Sequence, residues 1–383
     1  LTLRGADFLG APVAAAGQAG PRGSALVVPA PYFWAAALCL VVLAAAAVSL
    51  PYLAWRWWVL RGQEYRQLRL QGGPRTGAAA PSTAERARSG RLKSIAGTWA
   101  RARLTDEASP VAGWLLVTIA VLVIACCVAY GALGSSWLAE HASWLVTAGS
   151  FAIGTGAVAL VAVGRSAYRN SGLRRTVGIL WDVGTFWPRA THPLAPPCYT
   201  ERIMPDLLQR ITWLAPGDGD VVVVSAHSQG SVIAAALVLQ LEPEQRRRVR
   251  LLTYGSPLRR TNARYFPAYF GPLALHRVGE LLSSGQPAVQ QPAMRAAWPW
   301  RNLFRPSDPV GGAIFRVYPI SDTDNGDVDW QLMDPAIDPP PGDRAWPRTY
   351  AHSDYFRDPA FAAARRRLEE WPAVPAVPAV PRQ

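Results

Sequence analysis

A serine at position 228 stands between two contrasting stretches, Val221-Val222-Val223-Val224 before it and Ser231-Val232-Ile233-Ala234-Ala235-Ala236-Leu237 after it. Four consecutive valines read as a strand buried on both faces, the mark of a parallel sheet. The Ala/Leu/Val-rich stretch after Gly230 reads as a packed helix. Between them runs small-x-Ser-x-Gly, as Ala226-His227-Ser228-Gln229-Gly230. A strand that turns directly into a helix forces the central residue into a strained backbone conformation and exposes its hydroxyl. Small side chains at 226 and 230 let the helix pass close to the strand. The helix N-terminus offers backbone N–H groups, so the Gln229 amide is placed to donate to an oxyanion. Nucleophilic acyl transfer is the chemistry this pattern suits. The bland alternative is a strand-to-helix turn with an incidental serine.

A nucleophilic serine needs a base, and the chain has five histidines. His141 lies in the short hairpin between two apolar runs, on the wrong side of the membrane. His192 precedes the serine. His227 is the variable residue of the turn and is expected to point away from the base. His276 sits in an aromatic-rich insertion and precedes most acid candidates. With the order Ser, acid, His, the expected base is His352, in Tyr350-Ala351-His352-Ser353-Asp354-Tyr355. The expected acid is Asp308, in Phe304-Arg305-Pro306-Ser307-Asp308-Pro309-Val310, where a short strand ends in a turn. Such a turn presents a carboxylate at a sheet's C-terminal edge, where it can orient an imidazole. Its competitors are Asp322, Asp324, Asp327 and Asp329. That run has the spacing of a calcium loop but lacks the closing Glu and flanking helices, so it reads as a solvated acidic turn. Neither a metal nor a cofactor is expected.

Taken with Thr253-Tyr254-Gly255-Ser256-Pro257 after a strand over 249–254, these motifs resemble the α/β-hydrolase superfamily. The likeness is closest to its lipase/esterase branch, including class 3-type lipases and actinobacterial-type membrane proteins with a C-terminal hydrolase domain. It covers roughly residues 176–357. It implies Ser228 as nucleophile, His352 as base and Asp308 as acid, with Ala226 where the commoner pattern has Gly. Some fifty residues separate the last apolar run from Asp220, too few for the early strands of a full sheet. The second oxyanion donor normally follows an early strand. Here the candidates are Gly184 and Thr185, in Val177-Gly178-Ile179-Leu180-Trp181-Asp182-Val183-Gly184-Thr185; the stretch reads equally as a juxtamembrane helix. Tyr265, Phe266, Tyr269 and Phe270, at helical spacing, form either a cap over an acyl pocket or ordinary packing.

These residues need elements to position them, and three uncharged apolar runs come first: 32–54, 111–133 and 142–164. Each exceeds the about 20 residues that span a bilayer, and aromatic residues flank the first two. Small residues such as Ser150 and Gly154 suit close helix packing in lipid. The first run is not read as a signal peptide, since some thirty loop-like residues precede it and Pro51, Tyr52 and Trp55 lie at its far end. Between the first and second runs, residues 56–110 carry eleven basic and four acidic side chains, and Arg165, Arg169, Arg174 and Arg175 follow the third. The hairpin between the second and third has Glu140 alone. The positive-inside rule then puts both basic segments, and the hydrolase-like half, in the cytoplasm.

The formal charge of +13 therefore reads as membrane topology rather than as a nucleic-acid surface. Its partners are expected to be membrane lipids and an ester, lipid-like or otherwise. The four cysteines form no metal or disulfide pattern. The chain opens at Leu1 rather than Met, which leaves room for upstream residues.

The expected architecture is a flexible N-terminal segment (1–31), a membrane region (32–164), an α/β domain (165–371) and a proline-rich tail (372–383). Within the membrane region, 56–110 is expected to start at the interface and continue as a flexible loop. The α/β domain is expected to be α/β-hydrolase-like, a mostly parallel sheet with flanking helices. An integral plasma-membrane serine hydrolase of the lipase/esterase type is the leading expectation. A thioesterase, acyltransferase or peptidase with the same triad, or a non-catalytic membrane module on the hydrolase fold, stays open.

Overall fold

The computed structural model describes residues 13–14, 26–27, 29, 31–71, 83–134, 137–172, 174, 200–217, 219–283, 298–315, 328–338, 342 and 345–371. The chain divides into two units, Leu1–Trp55 with Ala108–Trp181 and Arg56–Glu107 with Asp182–Gln383.

The first unit opens with two short strands, β1 (Val13–Ala14) and β2 (Leu26–Val27), paired in parallel. Helix α1 (Pro31–Gln71) and helix α2 (Thr83–Leu133) each contribute one apolar part to this unit. The short α3 (Trp137–His141) and then α4 (Ser143–Arg169) complete it. Three stretches, within α1, α2 and α4, are long and apolar enough to cross a membrane, consistent with a membrane protein. The runs at 32–54 and 111–133 lie inside α1 and α2, and the third begins one residue before α4, which continues five residues beyond it. Helix is the form such runs take in lipid, because every backbone polar group is then satisfied within the segment. Most of their side chains face outward, with Trp114 74% exposed and Ile124 64%, while Trp34 and Ala37 are buried with Leu138. The glycine that matters for packing is Gly149. A Cβ there would lie 1.9 Å from the Ala36 carbonyl oxygen, so α4 and α1 touch backbone to backbone. Gly154, expected in that role, faces open space.

The second unit begins with a correction. The basic segment expected as a flexible loop is helical over Arg56–Gln71 and Thr83–Glu107, as continuations of α1 and α2. These two arms pair in antiparallel order. Arg56 bonds Glu107, Arg103 bonds the buried Glu64, and the Trp57 indole donates to the Gly97 carbonyl at 3.3 Å. Leu68, Leu92, Ile95, Ala96 and Trp99 form their own core with Tyr65 and Ile337. Each fully buried large apolar side chain stabilises by about 1.5–3 kcal/mol, enough to hold a polar pair of arms that would fray alone.

The sheet of this unit has four parallel strands in the order β3 (Val222–His227), β4 (Val249–Tyr254), β5 (Trp300–Phe304) and β6 (Asp329–Gln331). Among the helices packed with it are α5 (Thr200–Leu214), α6 (Gln229–Gln240), α7 (Pro243–Arg248), α8 (Pro272–Ser283) and α9 (Pro359–Glu369). Successive strand residues face opposite ways, so Leu251 packs with Leu237, Leu275 and Leu282 on one face, and Leu252 packs with Ala364 and Leu368 on the other. The valine strand is less buried than expected. Among the described residues β3 lies at the sheet edge, and its valines are half-buried, whereas β4 takes the fully buried place.

Candidate active site

The turn from β3 into α6 holds Ser228 at φ 52° and ψ −124°, a region that costs an L-residue about 1–3 kcal/mol. Neighbouring backbone holds it there. The Ser228 N–H donates to the Tyr254 carbonyl at 3.0 Å, and the Ser231 N–H donates to the Ser228 carbonyl at 2.9 Å. The Ser231 hydroxyl also donates to that carbonyl. A Cβ added at Gly230 would meet only the Ala226 Cβ, at 3.9 Å. What brings helix and strand close is thus Ala226 as much as the glycine.

Asp308 lies in the turn after β5, as expected, and is fully buried. Its Oδ1 accepts the Val310 and Gly311 N–H groups at 2.8 Å each, and its Oδ2 accepts the Tyr355 hydroxyl at 2.7 Å. Burial resists its charge, but His352, Tyr355 and Gly311 outweigh that and hold the carboxyl below its ordinary value. The Tyr355 phenol is pushed well above its ordinary value, by burial first and then by Asp308, so it remains a donor.

His352 joins the two sides. Its Nδ1 lies 2.9 and 3.0 Å from the two Asp308 oxygens, and its Nε2 lies 2.9 Å from Ser228 Oγ. A carboxylate only accepts, so Nδ1 carries the proton and the Nε2 lone pair faces the serine hydroxyl. Ser228, expected from its turn motif, and Asp308 and His352, expected from their place after it in the chain, are thereby brought into one hydrogen-bonded row.

Strain gathers at this place. Among the described residues, positive φ outside glycine occurs at Ser228, Ala351 and Asp354, and the last two bracket His352 and Ser353. Gly255 has φ 56°, and a Cβ there would lie 3.2 Å from His352 Cε1, His227 Nε2 and Tyr355 Cε2. Only glycine meets both demands without strain.

Comparison of the chain with protein-family models, with curated proteins and with solved structures returns no match. Geometry alone therefore carries the reading of this site.

Several expectations are altered by it. His227 does not point away from the base. Its ring lies 4.8 Å from that of His352, and its Nε2 donates to the His352 carbonyl at 3.0 Å. Burial and the neighbouring His352 lower its pKa, which favours the neutral ring. Asp329 is not part of a solvated turn. It is buried in β6 and accepts from Asn302 and from the Ile314 and Phe315 N–H groups. Asp322, Asp324 and Asp327 lie outside the described residues, as do Gly184 and Thr185. Gln229 opens α6, where its amide was expected. Of the four aromatics proposed for a pocket, Phe270 is in the core and Phe266 packs against it, while Tyr265 and Tyr269 are exposed. His276 is exposed and pairs with Glu280. Among the described residues no cluster of His, Cys, Asp and Glu is placed to hold a metal.

Three positioning groups had no signal in local sequence. Arg305, buried, stacks 4.2 Å over the Tyr355 ring and donates to the Ser353 carbonyl at 2.6 Å. The buried Asp334 carboxylate accepts the Ser307 hydroxyl at 2.7 Å and the Ala351 N–H at 2.8 Å, tying the Asp308 turn to the His352 loop. The Trp99 indole, from the arm of α2, donates to the Asp334 carbonyl at 3.1 Å. The assembly can pass a proton from a serine hydroxyl to an imidazole and stabilise the imidazolium.

Proposed function

We propose that this protein is a membrane-anchored serine hydrolase of the α/β-hydrolase superfamily, lipase/esterase-like, that cleaves an ester through an acyl-enzyme. The observation that carries this reading is the 2.9 Å approach of His352 Nε2 to Ser228 Oγ on a positive-φ turn, with Asp308 behind the imidazole. As the Ser228 oxygen attacks the ester carbonyl, its proton moves to Nε2. Asp308 fixes the tautomer that can take it and favours the imidazolium. The amide of Gln229 donates to the tetrahedral oxyanion. The imidazolium then protonates the leaving alkoxide. Water, deprotonated by the same imidazole, releases the acid and restores the serine.

Membrane anchoring by the three apolar helices and the exposed apolar side chains of Tyr265, Tyr269 and Leu273 favour a lipid-like substrate. The eleven basic residues of 56–110 favour the cytoplasmic face.

A fluorophosphonate probe is the direct test. The full chain in detergent should take one label, and Ser228→Ala should remove it. Labelling that survives this substitution refutes the assignment of the nucleophile. A folded wild-type protein that takes no label is a non-catalytic module. Esters of graded acyl length would then define the acyl preference.

A further inference from the structure

Arg260 belongs to the helical turn Leu258–Asn262 that follows β4, and it takes no part in the chemistry above. Its guanidinium nevertheless spans two places. On one edge, Nη1 donates to the Asp308 carbonyl at 2.6 Å and to the Gly311 carbonyl at 2.7 Å, the two ends of the acid turn. On the other, Nε and Nη2 donate to the two Asp106 carboxylate oxygens at 3.0 and 3.2 Å. The guanidinium is planar and rigid, so fixing one edge aims the other.

Asp106 is itself held. It lies in α2 four residues before Pro110. A proline has no N–H to give, so the Asp106 carbonyl loses its helical partner. The Arg264 Nη1 supplies the missing donor at 2.7 Å. The acid turn, meanwhile, has no slack on its inner side. A Cβ at Gly311 would lie 2.4 Å from Gly255 backbone atoms, and the Gly312 N–H donates to the Ser256 carbonyl at 3.1 Å.

We infer that Arg260, anchored by Asp106 on the arm of α2, is a positioning residue that sets the Asp308 turn against His352. The inference rests on the hydrolase reading. It makes the helix that runs on into the second apolar stretch part of the catalytic scaffold.

The test is a double-mutant cycle in the full chain in detergent, read as kcat and KM on p-nitrophenyl butyrate and as the rate of fluorophosphonate labelling. Arg260→Met should lower kcat by about 10- to 100-fold with KM within about twofold, as a misplaced relay does. In an Asp308→Asn background the same substitution should cost nothing further, since its effect passes through Asp308. Asp106→Asn should lower kcat less, and Asp106→Glu should restore it. Additive losses in the two backgrounds, or a folded Arg260→Met with unchanged kcat, overturn the inference. If Arg260→Met does not fold, the same cycle with Asp106→Asn decides, because that side chain is partly exposed. Wild-type protein without Ser228-dependent labelling would remove the hydrolase reading itself. Labelling that Arg260→Met leaves unchanged would remove the positioning role alone.

Discussion

The Ser228 turn takes its restraints from what adjoins it: β3 and α6 on either side in sequence, and the Tyr254 carbonyl on the neighbouring strand. The turns carrying Asp308 and His352 are restrained from far away. Asp334 links them to each other, Arg305 grips the loop after His352, and the arm of α2 holds two of their supports, through Trp99 at Asp334 and Asp106 at Arg260. One side of the relay is therefore made by local geometry and the other by long-range polar contacts. Damage to the first should stay local, whereas damage to the second should cost fold and chemistry together.

The largest effect that can break this contrast is at Asp334. Its carboxylate accepts the Ser307 hydroxyl and the Tyr350 and Ala351 N–H groups in a buried setting. Asp334→Ala leaves three donors without that acceptor, and each costs about 1–3 kcal/mol when buried. Urea unfolding of the detergent-solubilised protein should show a loss of at least about 3 kcal/mol, with labelling strongly reduced. Stability within about 0.5 kcal/mol of wild type would mean that the Asp308 and His352 turns hold themselves.

The same contrast explains what was legible in the sequence. Ser228 was visible because a valine strand, a small-x-Ser-x-Gly turn and an apolar helix are contiguous. Asp308 and His352 followed from order along the chain, and the parallel sheet from the four-valine run. Arg260, Asp334 and Trp99 were not visible, since nothing in a linear pattern says which arginine will meet which carbonyl. The arms of α1 and α2 were misread for a related reason. A charged stretch with scattered apolar residues looks like loop until its partner is known, and here Leu68 meets Leu92, Ile95 and Trp99. His227, set aside as the variable residue of the turn, meets His352 because the turn motif does not report where a distant loop will return.

Two glycines sharpen the comparison at smaller cost. Gly230 belongs to the motif, yet a Cβ there makes an ordinary contact with Ala226. Gly255 adopts φ 56° against His352, His227 and Tyr355. Gly255→Ala should cost about 2 kcal/mol in backbone strain and displacement, and should slow labelling about tenfold or more. Gly230→Ala should alter stability by no more than about 0.5 kcal/mol and leave labelling within about twofold of wild type. The reverse ranking would return the decisive role to the motif glycine.

Tyr355→Phe probes the acid side most gently, because the ring stays and one donor to Asp308 is lost. The carboxylate keeps His352, Val310 and Gly311, so the cost at neutral pH should be near 1 kcal/mol. Its pH dependence carries more information than its size. A carboxyl held below its ordinary value stabilises the fold above the unfolded value, near 3.8, and that contribution disappears as pH falls through the folded value. Removing the phenol should bring the folded value of Asp308 back toward the ordinary one. The charge-linked part of the difference between wild type and variant should therefore be full above about pH 5 and shrink below about pH 4. Urea midpoints compared from pH 6 down to pH 3 would show it. A gap that stays constant across that range would mean that Tyr355 contributes packing alone, with no charge-dependent hold on Asp308.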